Sequence, residues 1–185
     1  MKGFVRKDTL FSLCGLNCGL CTMRLGGYCP GCGGGEGNQS CAIARCSLDH
    51  GGVAYCFQCG DFPCARYGRE DPYDSFITHR NRLRDLEKAR RNGLEAYWTE
   101  QRERVGILGT LLEQYNDGRR KTLFALAANL LEPEDLREIL ARLGAETQGL
   151  PLKERAVRAA ALCQEAAERR GIDLRLRKSP GKAGK

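Results

Sequence analysis

From about residue 73 onward the apolar positions recur at helical spacing, whereas between Cys14 and Cys64 they follow no period. Five helices are predicted. The first spans about 73–91, with Phe76, Leu83 and Leu86 on one face and Gly93 as the break after it. The second, about 94–116, carries Leu94, Trp98, Val105, Leu108, Leu112 and Tyr115, and Asn116-Asp117-Gly118 ends it. A third, about 119–131, places Leu123, Phe124, Ala127, Leu130 and Leu131 together. Pro133 suits the first position of a fourth helix, where Glu134 and Asp135 favour the N-terminal dipole. Leu136, Ile139, Leu140 and Leu143 form its stripe, and Gly144 is the expected stop. The fifth spans about 152–170, with Ala156, Ala160, Cys163 and Ala167 on its narrow face and Gly171 after it. Ile172, Leu174 and Leu176 then alternate with polar residues, the pattern of a short strand.

The N-terminal third reads differently. A lead-in of residues 1–13 offers Phe4, Val5, Leu10, Phe11 and Leu13 to whatever follows. Residues 14–64 hold twelve glycines but only eleven large apolar side chains, so loops and tight turns are expected there. That is too little apolar surface for independent folding, and a cross-link must supply the rest. The same stretch holds ten of the eleven cysteines; only Cys163 lies elsewhere.

Compartment decides between disulfides and metal. Lys2, Arg6, Lys7 and Asp8 interrupt any secretory apolar segment, and no stretch approaches the ~18 apolar residues of a membrane span. A cytoplasmic chain with reduced thiols is therefore expected, and clustered thiols there read as metal ligands. The net charge of +7 changes the picture little, because the basic excess gathers in the last residues. Thiolates around divalent ions would leave the cysteine module locally anionic, which disfavours a grip on nucleic acid by anything but that tail.

The candidate ligands are Cys14, Cys18, Cys21, Cys29, Cys32, Cys41, Cys46, Cys56, Cys59 and Cys64. Three Cys-x-x-Cys pairs stand out: Cys18/Cys21, Cys29/Cys32 and Cys56/Cys59. Such a turn puts two sulfurs on one side of a tight loop, and two turns make a tetrahedral all-sulfur site suited to zinc. Two zinc ions are expected, with two cysteines to spare. Cys29/Cys32 and Cys56/Cys59 are the favoured pairs within sites; the sites of Cys14, Cys41, Cys46 and Cys64 stay open. His50 reads as a loop histidine, since sulfur is already abundant, with ligation the alternative. His79, among arginines, reads as a surface residue.

Iron–sulfur is the rival reading, since such clusters are also held by thiolates alone. Cys14-x3-Cys18-x2-Cys21 has the spacing that radical S-adenosylmethionine enzymes use for a 4Fe–4S cluster, and Gly34-Gly35-Glu36 is similar to their Gly-Gly-Glu. That third reading ranks last, because the helical remainder offers none of the strand–helix units a barrel needs. A thioredoxin-like role for a Cys-x-x-Cys pair fails for the same reason. No nucleophile triad is visible and the glycine run lacks the Lys-Ser/Thr of a P-loop, so no catalytic residue is assigned.

Cys14-Gly15-Leu16-Asn17-Cys18-Gly19-Leu20-Cys21, Cys29-Pro30-Gly31-Cys32 and Cys56-Phe57-Gln58-Cys59-Gly60-Asp61-Phe62-Pro63-Cys64 resemble a cysteine-rich bacterial and archaeal family of unknown function whose members open with Cys-Gly-Leu-x-Cys. Gly93-Leu94-Glu95-Ala96-Tyr97-Trp98 and Asn116-Asp117-Gly118-Arg119 are similar to it as well, so the likeness covers about residues 11–143. The resemblance implies metal binding and a prokaryotic origin, and supplies no reaction. The expected architecture is a small metal-stabilised cysteine-rich module (1–68) followed by a mainly α-helical bundle (69–176) and a basic disordered tail (177–185). The expected role is accessory, with a protein partner, no membrane, and nucleic-acid contact disfavoured except through the basic tail; the alternative is electron transfer from an iron–sulfur cluster to a larger redox enzyme.

Overall fold

Leucine stripes at helical spacing must face one another to leave water, and here they do. The computed structural model describes residues 3–35, 41–67 and 72–179. Seven α-helices lie among them: α1 (Thr22–Leu25), α2 (Ala42–Asp49), α3 (Arg82–Asn92), α4 (Leu94–Gln114), α5 (Lys121–Leu130), α6 (Pro133–Glu146) and α7 (Leu152–Arg169). Helical turns of the tighter 3-10 type form at Cys18–Leu20 and Cys56–Gln58. No strand occurs among the described residues. The described residues are thus all-helical, with ten of the eleven cysteines gathered in the N-terminal third.

The main core closes between α4, α5, α6 and α7, where Leu108, Leu111, Phe124, Leu131, Leu136, Leu143 and Leu162 are fully buried. Cys163 sits in the same core as a packed small residue, and burial pushes its thiol up to about 12, leaving it inert. α6 begins on Pro133 as its sequence requires, and the Asp135 carboxylate accepts the Glu132 N–H at 3.2 Å. It does not stop at Gly144. It continues to Glu146, and the Thr147 hydroxyl donates to the Leu143 carbonyl at 2.7 Å.

Two further expectations fail for one reason. The first predicted helix begins at Arg82, not 73, because the Asp74 carboxylate takes the His79 N–H at 2.9 Å and holds 74–79 as a turn. The strand read at 172–176 is absent because its carbonyls find a side chain instead of a ladder. The Arg80 guanidinium donates to Asp173 O at 2.6 Å and Arg175 O at 3.0 Å. The Arg177 N–H and guanidinium donate to Asp74 at 3.0 and 3.1 Å. Residues 180–185 of the basic tail, and the 68/69 boundary between module and bundle, lie outside the described residues.

The cysteine module is fixed to the bundle by a second core of Phe11, Tyr55, Leu86, Ala89 and Tyr97. Phe11 lies 4.5 Å from Tyr97 and 5.3 Å from Tyr55, centroid to centroid. Of the lead-in, Phe11 and Leu13 are buried while Val5 and Leu10 are exposed. Gly15 makes the close approach to α3: at φ +91° it tolerates the left-handed region, and a Cβ there would collide with the Arg82 carbonyl. Beside it the Asn17 amide donates to Asp85 at 2.7 Å and accepts the Tyr97 hydroxyl at 2.8 Å.

Asp85 makes this joint pH-dependent. Burial pushes its carboxyl up to about 6, against the pull of Arg84 and the Asn17 hydrogen bond. In an unfolded chain it titrates near its ordinary value of about 3.9. Between those values the folded protein holds a proton the unfolded chain has lost, so its stabilising contribution is complete below pH ~4 and disappears as pH rises through about 6. The loss amounts to about 3 kcal/mol. Asp85→Asn keeps an acceptor for Asn17, so its melting temperature should exceed the wild type at pH 7 and converge with it near pH 4. A variant less stable than wild type at pH 7 contradicts this.

Candidate metal centre

The first turn of the module is built by Ser12. Its N–H donates to the Leu16 carbonyl at 2.8 Å and its hydroxyl accepts the Leu16 N–H at 2.7 Å, which leaves the hydroxyl proton for the Cys14 sulfur 3.3 Å away. The Cys18–Leu20 turn follows, closed by the Cys21 N–H on the Cys18 carbonyl at 3.1 Å, and Cys21 caps α1. A third turn, Cys29-Pro30-Gly31-Cys32, comes in from the other side. The Gly31 N–H donates to the Cys29 sulfur at 3.4 Å. Gly31 has φ +87°, and a Cβ would strike the Thr9 carbonyl and Arg24, so only glycine permits the turn.

These turns bring Cys14, Cys18, Cys21 and Cys32 together. The Cys18 thiol is pushed up to about 12, first by burial and then by Cys32, Cys14 and Cys21, outweighing the Cys32 N–H that points at it. Burial also raises Cys32, against the pull of the Leu13 N–H and Arg6. Sulfurs crowded together and partly withdrawn from water resist ionising together unless a cation joins them. The donor set fits a soft-tolerant metal such as zinc, or an iron–sulfur cluster.

An outer group forms around α2, a helix that the glycine-rich sequence did not announce. Cys46 projects from it, and the 3-10 turn brings Cys56 and Cys59, with the Gln58 side chain accepting the Tyr55 N–H at 3.0 Å. Cys46, Cys56, Cys59 and Cys64 line a cavity of about 30 Å³, together with His50 and Tyr67. That is room for a single ion or water. Burial pushes Cys56 up to about 11; the Tyr67 hydroxyl opposes the rise, and Cys14, Cys64 and Cys46 add to it. Cys14 influences both Cys18 and Cys56, so the two groups are neighbours with Cys14 between them.

No protein-family model, curated protein or solved structure matches this chain. The chemistry must therefore be read from the donors themselves. Of the ten predicted ligands, nine fall in or beside the two groups. Cys29 adjoins the inner one through its turn, while Cys41, at the start of α2, is exposed. Of the Gly-Gly-Glu stretch, Glu36 lies outside the described residues.

His50, read as a loop residue, closes α2 and lies in the outer group. Its ligand atom, that of Cys59 and that of Asp61 all lie within 4.8 Å of one another. Sequence reasoning missed Asp61 altogether; its only signal was position, two residues after Cys59. It also missed Asp8. That carboxylate accepts the Leu10 N–H, the Tyr55 hydroxyl and the Trp98 indole at 2.8, 2.5 and 3.0 Å, tying the lead-in to the second core. Among the described residues no helix is long and apolar enough to cross a membrane.

Proposed function

We propose that residues 14–64 form a metal-binding module, holding two zinc ions through cysteine thiolates as structural elements, and that the helical body presents the module to a protein partner. The observation that carries this reading is the convergence of Cys14, Cys18, Cys21 and Cys32 from three separate turns into one cluster, with Cys21 buried and the others half-buried. Apolar Val5, Leu10 and Leu48 remain exposed around the module, which supports a partner surface. Protein purified without oxygen should be colourless and carry about two zinc equivalents. Metal-free, folded protein from the same preparation would overturn the proposal.

Electron transfer by an iron–sulfur cluster is the second reading, favoured by the Cys14-x3-Cys18-x2-Cys21 run that folds into one arm of the inner pocket. A brown solution with acid-labile sulfide would establish it and exclude zinc there. The radical-enzyme reading gains nothing from a body that is all-helical among the described residues.

A further inference from the structure

We infer that the outer centre is a mixed-donor site, with Cys59, His50 and Asp61 as protein ligands to a divalent cation of the zinc class and a fourth position open to solvent. This rests on the metal-binding reading above and, for the outer ion alone, replaces the all-thiolate structural site with one of mixed donors.

Tautomer and geometry carry the argument. The His50 Nδ1 lies 2.8 Å from the Cys46 carbonyl at the end of α2. A carbonyl only accepts, so Nδ1 bears the proton and Nε2 keeps its lone pair. This is the arrangement in which a backbone carbonyl orients a ligating imidazole. Nε2 faces Asp61 Oδ2 at 3.5 Å, and a Cys59 ligand atom completes the group within 4.8 Å. A lone pair, a carboxylate and a sulfur thus converge with only the thiol proton among them. The Nε2–Oδ2 separation is close to the about 3.4 Å that two ligands at tetrahedral zinc subtend.

Exposure decides what kind of site it is. The His50 and Asp61 side chains are 43% and 72% exposed, so three donors approach from the protein and the fourth direction is water. Structural zinc sites are closed by four protein ligands, whereas three ligands and a solvent position make an exchangeable site that admits a water or a small anion. Cys46, Cys56 and Cys64 line the cavity behind it. The competing occupant is a proton: on Nε2 it would make His50–Asp61 an imidazolium–carboxylate pair.

Zinc-loaded protein mixed with a chromophoric chelator at neutral pH should release one equivalent rapidly and one slowly. His50→Gln and Asp61→Asn, both exposed and nearly isosteric changes, should each abolish the rapid equivalent and keep the slow one. With cobalt in place of zinc, azide should alter the visible absorption of the wild type and not of either variant. Two equivalents released by both variants at the wild-type rate would overturn the mixed-donor site and assign the contact to the ion pair, leaving the inner centre intact. A wild type with no metal at all would remove the broader reading as well.

Discussion

Cys18→Ser is expected to unfold the cysteine module while the α4–α7 bundle stays folded. Structural zinc contributes about 10–16 kcal/mol of apparent binding free energy in small peptides, and that free energy is folding free energy. A whole domain is stable by only about 5–15 kcal/mol. On the metal-binding proposal, a module with glycine turns and few apolar side chains that loses one of its four inner thiols should also lose its shape. The bundle can, because its core of Leu108, Leu111, Phe124, Leu136 and Leu162 closes without sulfur–metal bonds. The variant should lose the slowly released zinc and become open to protease between residues 14 and 64. Trp98 should report the change, since its indole bonds Asp8 of the lead-in at 3.0 Å. Cys41→Ser and Cys163→Ala serve as controls and should leave metal content alone, one exposed and the other buried in the bundle. Unchanged zinc and unchanged protease resistance in Cys18→Ser would contradict the module's dependence on metal.

The helices of the bundle were legible because their signal is repetitive. Leu94 to Tyr115 repeats one spacing over six turns, and a run that long survives any local interruption. Pro133 and Gly93 marked their boundaries correctly for the same local reason: a missing N–H and a positive φ of 86°. The failures lie where a side chain overrides the preference read from the backbone, nearby at Thr147 and from far along the chain at Arg80. Gly144 did not end α6 because Thr147 ends it one turn later. Residues 172–176 did not form a strand because Arg80, about ninety residues earlier, takes their carbonyls.

The candidate site shows the same division. Cysteine spacing announced turns, and it could not announce which turns meet. Cys14 and Cys32, eighteen positions apart, sit together beside Cys18, and the Gly31 N–H meets the Cys29 sulfur inside the turn that carries Cys32. Asn17 falls at the unspecified position of the Cys-Gly-Leu-x-Cys run. It proves to be the polar link to Asp85 and Tyr97, each far along the chain, so nothing near it in sequence could have revealed the role.

Arg104→Ala should destabilise the helical body by about 3–5 kcal/mol, the range for breaking a buried pair by removing one partner. The Arg104 side chain is only 3% exposed. Its Nη1 donates to the carbonyls of Ala128 at 2.8 Å and Leu131 at 2.6 Å, at the end of α5. Those carbonyls belong to the last turn, which has no intrahelical donors left, and the guanidinium also answers the negative end of the helix dipole. Its Nε donates to Glu100 at 3.0 Å, and Glu100 in turn pairs with Lys88 of α3. One side chain therefore joins α3, α4 and α5. Alanine leaves two buried carbonyls and part of a carboxylate unsatisfied, whereas the Glu100–Lys88 pair limits the charge left behind. Arg104→Lys should recover a fraction only, because one ammonium cannot reproduce the planar fork that serves Nε and Nη1 partners together. Denaturant unfolding followed by helical circular dichroism measures both, and zinc content should stay at the wild-type value, since the damage lies in the bundle. A loss below about 1 kcal/mol would mean that water replaces the guanidinium at the end of α5, and that the three helices are held together by their apolar faces alone.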